Sequence, residues 1–167
     1  MILVALGANL AGPAGSPRAQ LEAALAAFAS RGIAILARSS WWRSPAWPDP
    51  GDPPFVNGVV AVRTVLDPEA LLRALHDIER ALGRERGRAN APRSIDLDLL
   101  DFEGILRQGG SPPELPHPRL AGRAFVLHPL AEIAPGWRHP VTGLSVSALL
   151  AGLPPGADAS RLGPIAD

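Results

Sequence analysis

The sequence predicts an α+β domain in which an antiparallel sheet carries helices on one face, the ferredoxin-like order β-α-β-β-α-β. Two observations predict this class. Apolar or alternating runs of strand length recur four times in the first 100 residues, and two segments with helical periodicity separate them in the required order. The chain has 167 residues, 47% of them apolar, and no linker divides it. We therefore expect one domain over residues 1–167.

The first strand and the first helix occupy the start of the chain. Residues 1–6 are continuously apolar and are followed by Gly7, as expected of a short buried strand. Ser16 and Pro17 are residue types that favour a helix N-cap and a first turn, and Gly32 marks a stop. Apolar side chains keep helical spacing between these signals, which predicts the first helix.

Two further strands flank a proline-rich loop. Residues 33–43 have extended character. The stretch SPAWPDPGDPPF (44–55) contains five prolines and predicts a long, stiff loop, which in a compact domain is often functional. Residues 55–65 then predict a strand. Phe55 and Asn57 share one face of it, because side chains two residues apart in a strand point the same way.

The second helix, a basic loop and the fourth strand follow. A helix begins at Asp67-Pro68 and ends at Gly83. The loop RERGRANAPR (84–93) precedes the strand RSIDLDLL (93–100). After residue 105 we expect additions to this core, with a short helix in the run RLAGRAFVLHPLAEIAP. From about residue 154 the chain is rich in Gly, Pro and Ala and is expected to be a loose tail.

Composition excludes several classes of function. The formal net charge is zero, so no global field attracts nucleic acid or an anionic membrane. Without cysteine there is no disulfide, thiolate nucleophile or cysteine zinc site. All 16 basic residues are arginine, which excludes a lysine-dependent P-loop and a lysine Schiff base. The apolar N-terminal run is too short for a signal peptide or membrane span. We therefore expect a cytoplasmic, monomeric protein.

The strongest chemical signal is a pair of aspartates in the fourth strand. Asp96 and Asp98 share a face, about 6.5–7 Å apart along the strand, while Ile95 and Leu97 point to the other face. Two interpretations fit these residues alone. The pair supplies the polar face of a half-buried strand, or it supplies hard oxygen ligands for Mg²⁺ and substrate phosphates.

Three neighbouring groups favour phosphate chemistry. The basic loop holds Arg84, Arg86, Arg88 and Arg93, and arginine with Mg²⁺ stabilises a transferring phosphoryl group. The run LPHPRLAGRAFVLHPL (115–130) places His117 between two prolines, close to Arg119 and Arg123. Trp47, inside the proline-rich loop, suits a lid over a flat ligand. The sequence has neither a G-x-S-x-G elbow nor an H-E-x-x-H motif.

Five stretches together resemble the 6-hydroxymethyl-7,8-dihydropterin pyrophosphokinase family of folate biosynthesis. The runs PRSIDLDLL (92–100) and PHPRLAGRAFVLHPL (116–130) are the most specific, and the others are ALGANL (5–10), SPAW…PPFVNGVV (44–60) and IERALGRERGR (78–88). The resemblance covers the chain to about residue 153. It implies Mg²⁺-dependent transfer of the β,γ-pyrophosphoryl unit of ATP to the hydroxymethyl oxygen of the pterin, which releases AMP.

The resemblance also implies a role for each matching residue. Asp96 and Asp98 would hold two Mg²⁺ ions, and with Arg84 and Arg93 they form the implied catalytic set. Glu79 matches a position beside the pterin pocket whose role stays open. The implied ATP contacts are Arg84, Arg86, Arg93, Ile95, His117 and Arg123. The implied pterin contacts are Ser44, Pro45, Trp47, Phe55, Asn57 and Phe125, of which Phe55 and Phe125 would sandwich the ring.

Some positions depart from the family pattern. Trp47 replaces a smaller apolar residue, Asn90 lies near a tryptophan of some members, and Pro112 and Glu114 replace Arg and Thr of some members. Two other functions stay open at this point: a binding module that has lost the chemistry, and a metal-dependent phosphohydrolase that consumes ATP without a pterin.

Overall fold

The computed structural model describes residues 1–46, 49–84, 95–157 and 159–161. These residues form a six-stranded antiparallel sheet with helices against both faces. In chain order the elements are β1 (Ile2–Ala8), α1 (Pro17–Phe28), β2 (Ile33–Arg38), β3 (Trp42–Ser44), β4 (Phe55–Thr64), α2 (Pro68–Ala81), β5 (Asp96–Phe102), α3 (Ala124–Ile133), α4 (Val146–Ala151) and β6 (Ser160–Arg161).

The sheet has the predicted ferredoxin-like topology. Its strand order is β5-β1-β4-β3-β6, and β2 pairs with β4 beside β3. The strand β1 therefore lies at the centre, between β4 and β5, and pairs with both in antiparallel register. The predicted α+β class and the order β-α-β-β-α-β are confirmed. Every ladder is antiparallel because the two strands that each helix joins are not neighbours in the sheet. A strand of opposite direction lies between them, β4 between β1 and β2, and β1 between β4 and β5.

Helices α1 and α2 cover one face of the sheet, as the sequence predicts. Their apolar sides pack on the side chains of β1, β4 and β5 that point to this face. Both predicted N-caps are present. The Ser16 hydroxyl accepts a hydrogen bond from the Ala19 N–H at 3.0 Å, and the Asp67 carboxylate accepts one from the Ala70 N–H at 2.7 Å.

The C-terminal helices cover the opposite face. Helices α3 and α4 and the ring of Trp137 pack on Leu3 and Ala5 of β1 and Val59 of β4. The sequence predicted one helix in this region and did not indicate which face it would cover. The part of this face nearest the C-terminal end of β1 stays open, because α3 begins beyond it. The functional cleft lies there.

The extended segment predicted over residues 33–43 is divided in the structure. Strands β2 and β3 both pair with β4, and residues 39–41 between them are outside any strand. Trp41 turns inward here and lies against Gly58, where a β carbon would be only 2.6 Å from the indole ring. A bulky ring over a glycine is a tertiary contact, so local extended propensity could not indicate the break.

A β-bulge changes the alternation of β5 near its end. Leu3 of β1 pairs with Asp101 and Val4 pairs with Leu99, so Leu100 is an extra residue. Uninterrupted alternation would place Asp101 on the same face as Leu97 and Leu99. It is instead buried on the opposite face, where its carboxylate accepts hydrogen bonds from Trp137 Nε1 at 2.7 Å and the Gly104 N–H at 2.9 Å.

The tail predicted to be loose from residue 154 is partly ordered. Ser160 and Arg161 form β6, whose backbone pairs with Arg43 and Trp42 of β3. The strand β3 offers unpaired backbone groups at the sheet edge, which these two residues satisfy. The expectation for the tail as a whole stays a prediction. Within the part of the chain described here, no helix is long and apolar enough to cross a membrane.

Candidate active site

A cleft of about 870 Å³ opens on the face of the sheet that α3 leaves uncovered. Strands β1, β4 and β5 form its floor, and the loop that carries His117 and the start of α3 form one wall. The residues that line it are Ala5, Leu6, Gly7, Ser44, Pro45, Phe55, Asn57, Asp96, Asp98, His117, Pro118, Arg119, Gly122, Arg123, Phe125 and Val126.

The acidic end of the cleft is formed by Asp96 and Asp98 on β5. The predicted alternation is confirmed, since both carboxylates face the cleft while Leu97 and Leu99 are buried beneath α1 and α2. Their side chains are 26% and 29% exposed, so each is held by the protein but reachable from solvent. Half-exposed oxygen donors on one face are a suitable set for a hard cation such as Mg²⁺.

Arg84 joins Asp96 to a buried glutamate. Its Nη1 lies 2.9 Å from Asp96 Oδ1 and 2.7 Å from Glu79 Oε1. Glu79 extends from α2, is 4% exposed, and also accepts a hydrogen bond from the Leu97 N–H at 2.7 Å. Glu79 therefore fixes both the arginine and the backbone between the two aspartates.

Burial raises the pKa of Glu79 to about 7, against a value of 4.5 for a free side chain, although the Leu97 N–H and Arg84 act in the opposite direction. The folded state then binds more protons than the unfolded state between these values. This contribution to stability is complete below pH 4.5 and is lost as the pH rises through 7.

Replacing Glu79 with glutamine should remove this pH dependence. A glutamine oxygen can accept the same two hydrogen bonds without a charge that burial disfavours. Between pH 5 and pH 8, the free energy of unfolding of the unmodified protein should fall by about 2 kcal/mol relative to the variant. Urea denaturation of both proteins at intervals across this range measures the difference. Parallel pH profiles would contradict the assignment.

The second aspartate is held by two basic side chains from the wall. Arg123 Nη1 lies 3.4 Å and His117 Nε2 lies 3.8 Å from Asp98 Oδ2. His117 is fixed by its backbone, whose N–H donates to the Leu100 carbonyl at 2.8 Å, and by its Nδ1, which accepts from the Arg119 N–H at 3.1 Å. Since Nδ1 is an acceptor, the ring proton is on Nε2 and faces the cleft.

The electrostatics of this end favour an anionic ligand. The pKa of His117 is lowered to about 4 by burial and by the nearby charge of Arg123, so the ring is neutral at pH 7. A neutral imidazole can donate a hydrogen bond from Nε2–H without carrying a charge. The guanidinium of Arg123 supplies the positive charge and also lies over the ring of Phe125, 5.4 Å from the centroid.

The other end of the cleft is mostly apolar. Phe55 of β4, Phe125 of α3 and Pro45 line it. Asn57 provides the polar contact, and its Nδ2 donates to the Ser44 hydroxyl at 2.9 Å. Both side chains are buried, so the amide is held in one orientation. Phe55 and Asn57 share a strand face, as predicted.

Contacts outside the cleft hold these walls together. Trp42 of β3 stacks on His128 of α3, with ring centroids 4.8 Å apart, and its Nε1 donates to Glu132 at 2.8 Å. These contacts fix the strand that carries Ser44 to the helix that carries Phe125. The proline-rich loop is anchored at its other end, where Asn9 Nδ2 donates to the Pro53 carbonyl at 3.1 Å.

The structure brings most of the predicted site residues into one cleft. Among the described residues, Arg84 and Ile95 are not part of its lining. Arg84 contacts the lining residue Asp96. The side chain of Ile95 is fully buried in the core under α1 and α2, so that any ATP contact would use its main chain. The described residues do not include Trp47, Arg86, Arg93 or Asn90. The roles implied for the first three, and the departure from the family pattern at Asn90, stay predictions.

Sequence reasoning missed several lining residues. Ala5 and Gly7 form the floor between the two ends of the cleft, and Pro118, Arg119 and Gly122 belong to the wall. Arg119 was noticed beside His117 but was not assigned a contact. The signal for Gly7 was present in the ALGANL run, where a glycine in an extended strand often marks a close approach of a ligand.

Comparison with known proteins identifies relatives over most of the chain. The profile of the 7,8-dihydro-6-hydroxymethylpterin-pyrophosphokinase family, HPPK, matches residues 3–135. A 2-amino-4-hydroxy-6-hydroxymethyldihydropteridine pyrophosphokinase from Synechocystis sp. is 40% identical over 149 residues, which cover 89% of this chain and 73% of that protein. The protein of the same name from Pseudomonas aeruginosa is 43% identical over 157 residues, 92% of this chain and 91% of that protein.

Solved structures support the fold independently. The Plasmodium falciparum HPPK-DHPS crystal structure superposes with a TM-score of 0.66 over 90% of this chain, at 13% sequence identity. This chain covers 44% of that longer chain. At this identity the similarity shows the fold alone.

Proposed function

Because the chain belongs to the 7,8-dihydro-6-hydroxymethylpterin-pyrophosphokinase family, we propose that the cleft is the active site of that reaction, with the roles set out below. The enzyme is a transferase of folate synthesis. It transfers the pyrophosphoryl group of ATP to the hydroxymethyl group of 6-hydroxymethyl-7,8-dihydropterin and releases AMP.

One observation supports the placement of the reaction above all others. Two carboxylates line one end of a single cleft, each in contact with an arginine, and two phenylalanines line the other end together with a fixed amide. A nucleotide triphosphate and a heteroaromatic ring need these two environments next to each other. A single strand, β1, separates the strands that carry Asn57 and Asp96, which suits a short arm between the ring and the attacking oxygen.

Asp96 and Asp98 fit the Mg²⁺ that an ATP-using kinase requires. Their oxygens are hard donors on one strand face, half-exposed towards the cleft, and Mg²⁺ takes one or two carboxylates together with phosphate oxygens and water. We place two ions on this pair. Bound Mg²⁺ neutralises charge on the phosphate oxygens. The number of ions can be measured by titration with the ATP complex.

The basic side chains would hold the triphosphate. Arg84 and Arg123 contact the carboxylates and would turn to phosphate oxygens when the carboxylates bind the cation. His117, neutral at pH 7, would donate a hydrogen bond from its Nε2–H to a phosphate oxygen. These three donors surround the region in which negative charge increases during transfer, and that position is where fixed donors accelerate a reaction.

The pterin side would bind and orient the second substrate. Phe55 and Phe125 offer ring surfaces for stacking, and Asn57 and Ser44 offer fixed hydrogen-bonding groups to the ring edge. The hydroxymethyl oxygen would then form a bond to the β-phosphorus of ATP and release its proton to water. The bond between that phosphorus and the oxygen bridging to the α-phosphate breaks, and AMP leaves with the electron pair.

We also propose that the protein acts as a monomer. The direct test of the function is to incubate it with ATP, Mg²⁺ and 6-hydroxymethyl-7,8-dihydropterin, and to quantify AMP, ADP and the pterin diphosphate. AMP and the pterin diphosphate should form in equal amounts, and neither should form without the pterin. ATP loss in the absence of pterin would indicate a phosphohydrolase instead. Binding of MgATP without any turnover would indicate a module that has lost the chemistry.

A further inference from the structure

Gly7 lies in the middle of the cleft floor, on the central strand β1. In the sheet register it pairs with Asn57 of β4 on one side and with Asp96 of β5 on the other. Neighbouring strands are about 4.8 Å apart, so the two polar residues stand about 10 Å apart with the glycine between them. The next residue of β1 that faces the cleft is Ala5, between Val59 and Asp98.

The backbone does not require a glycine at this position. Gly7 is inside a regular strand paired on both sides and has no positive φ. A β carbon built there would lie 3.2 Å from Asn57 Oδ1 and 3.9 Å from Phe55 Cδ1, close but without a severe clash. Glycine weakens a strand interior compared with alanine. A β carbon would therefore project into the cleft against Asn57, and glycine keeps this part of the floor free of a side chain.

We infer that Gly7 is a specificity-determining residue: the space above its α carbon accommodates the hydroxymethyl arm of the pterin. The inference rests on the proposed function, in which the ring lies over β4 and the phosphates lie beside the carboxylates of β5. The arm that connects them must then cross β1. The cleft-facing side chains of β1 in that region are Gly7 and Ala5, the two smallest that a strand can offer.

The test compares two pterins on the Gly7→Ala variant. One is 6-hydroxymethyl-7,8-dihydropterin, and the other is 7,8-dihydropterin without the arm. Both are titrated with Mg²⁺ and the α,β-methylene analogue of ATP, in which the bridge that breaks is replaced by carbon. The variant should bind the hydroxymethyl compound at least tenfold more weakly than the unmodified protein, and should bind the unsubstituted compound within threefold of it.

The kinetic result should agree with the binding result. The kcat/KM of the variant should fall at least tenfold while its melting temperature is not lowered, since alanine suits an extended backbone. Gly136→Ala is the control, because Gly136 lies outside the cleft, has no positive φ, and has open space around the position of a β carbon. If the variant binds both pterins more weakly by the same factor, Gly7 only makes room for Asn57 and the inference fails. If the variant binds both as tightly as the unmodified protein does, the inference is also overturned.

The position of the hydroxymethyl arm can also be measured directly on the unmodified protein. In the complex with the hydroxymethyl pterin and the ATP analogue, the Gly7 α protons should show nuclear Overhauser contacts to the methylene protons of the arm. Their absence in a saturated complex would overturn the inference. If the unmodified protein forms no AMP, the proposed function fails; if it forms AMP but the arm is remote from Gly7, only this inference fails.

Discussion

Replacing Asp98 with asparagine is expected to lower kcat by about a thousandfold, a loss of about 4 kcal/mol of transition-state stabilisation. Asparagine keeps the size of the side chain but removes the negative charge. The charge serves two purposes in the proposed site: it would hold the cation beside the phosphates, and it pairs with Arg123 in the wall until the cation binds. Both are lost together.

The measurement is the rate of AMP formation at saturating substrates, with the same change made at Asp96. Neither variant should unfold, because both side chains are half-exposed and the apolar residues of β5 point to the opposite face. A chemical denaturation curve provides this control. If either variant keeps more than a tenth of the original kcat, the carboxylates do not hold a catalytic cation.

Replacing Arg84 with methionine should reduce kcat by about a hundredfold, or about 2.7 kcal/mol, the usual cost of one fixed donor at a developing charge. Methionine retains most of the apolar stem. The variant should also be less stable at pH 8, because the buried Glu79 carboxylate loses the guanidinium that lies 2.7 Å away.

A double variant separates the two effects. Combining Arg84→Met with Glu79→Gln removes the unpaired buried charge, so stability at pH 8 should recover while kcat stays low. Turnover and urea denaturation on the four proteins of this cycle give both coupling energies. Recovery of kcat in the double variant would mean that Arg84 acts only by neutralising Glu79 and makes no contact with the triphosphate.

Local chemistry was sufficient to predict the parts of the fold that depend on nearest neighbours. Ser16 and Asp67 cap the two predicted helices, and the two-residue alternation places Asp96 with Asp98 and Phe55 with Asn57 on the cleft face. These features depend on periods of 3.6 and 2 residues, which the sequence displays directly. The candidate site followed from them once the resemblance assigned roles.

The features that escaped prediction depend on contacts between distant residues. The break between β2 and β3 depends on Trp41 meeting Gly58 of another strand. The burial of Asp101 depends on Trp137, which is 36 residues away in sequence. The placement of α3 and α4 on the second face depends on which surface of the finished sheet stayed apolar. A periodicity within one segment contains none of this information.

The extra residue in β5 limits where insertions and deletions can be tolerated in this chain. Leu100 has no partner in β1, and its carbonyl instead receives the N–H of His117. Deleting one codon there would restore an uninterrupted ladder with Asp101 still opposite Leu3, but it would remove the Leu100 carbonyl and so release the histidine segment. Insertions and deletions should therefore be tolerated in the exposed turn after Phe102 but rejected a few positions earlier.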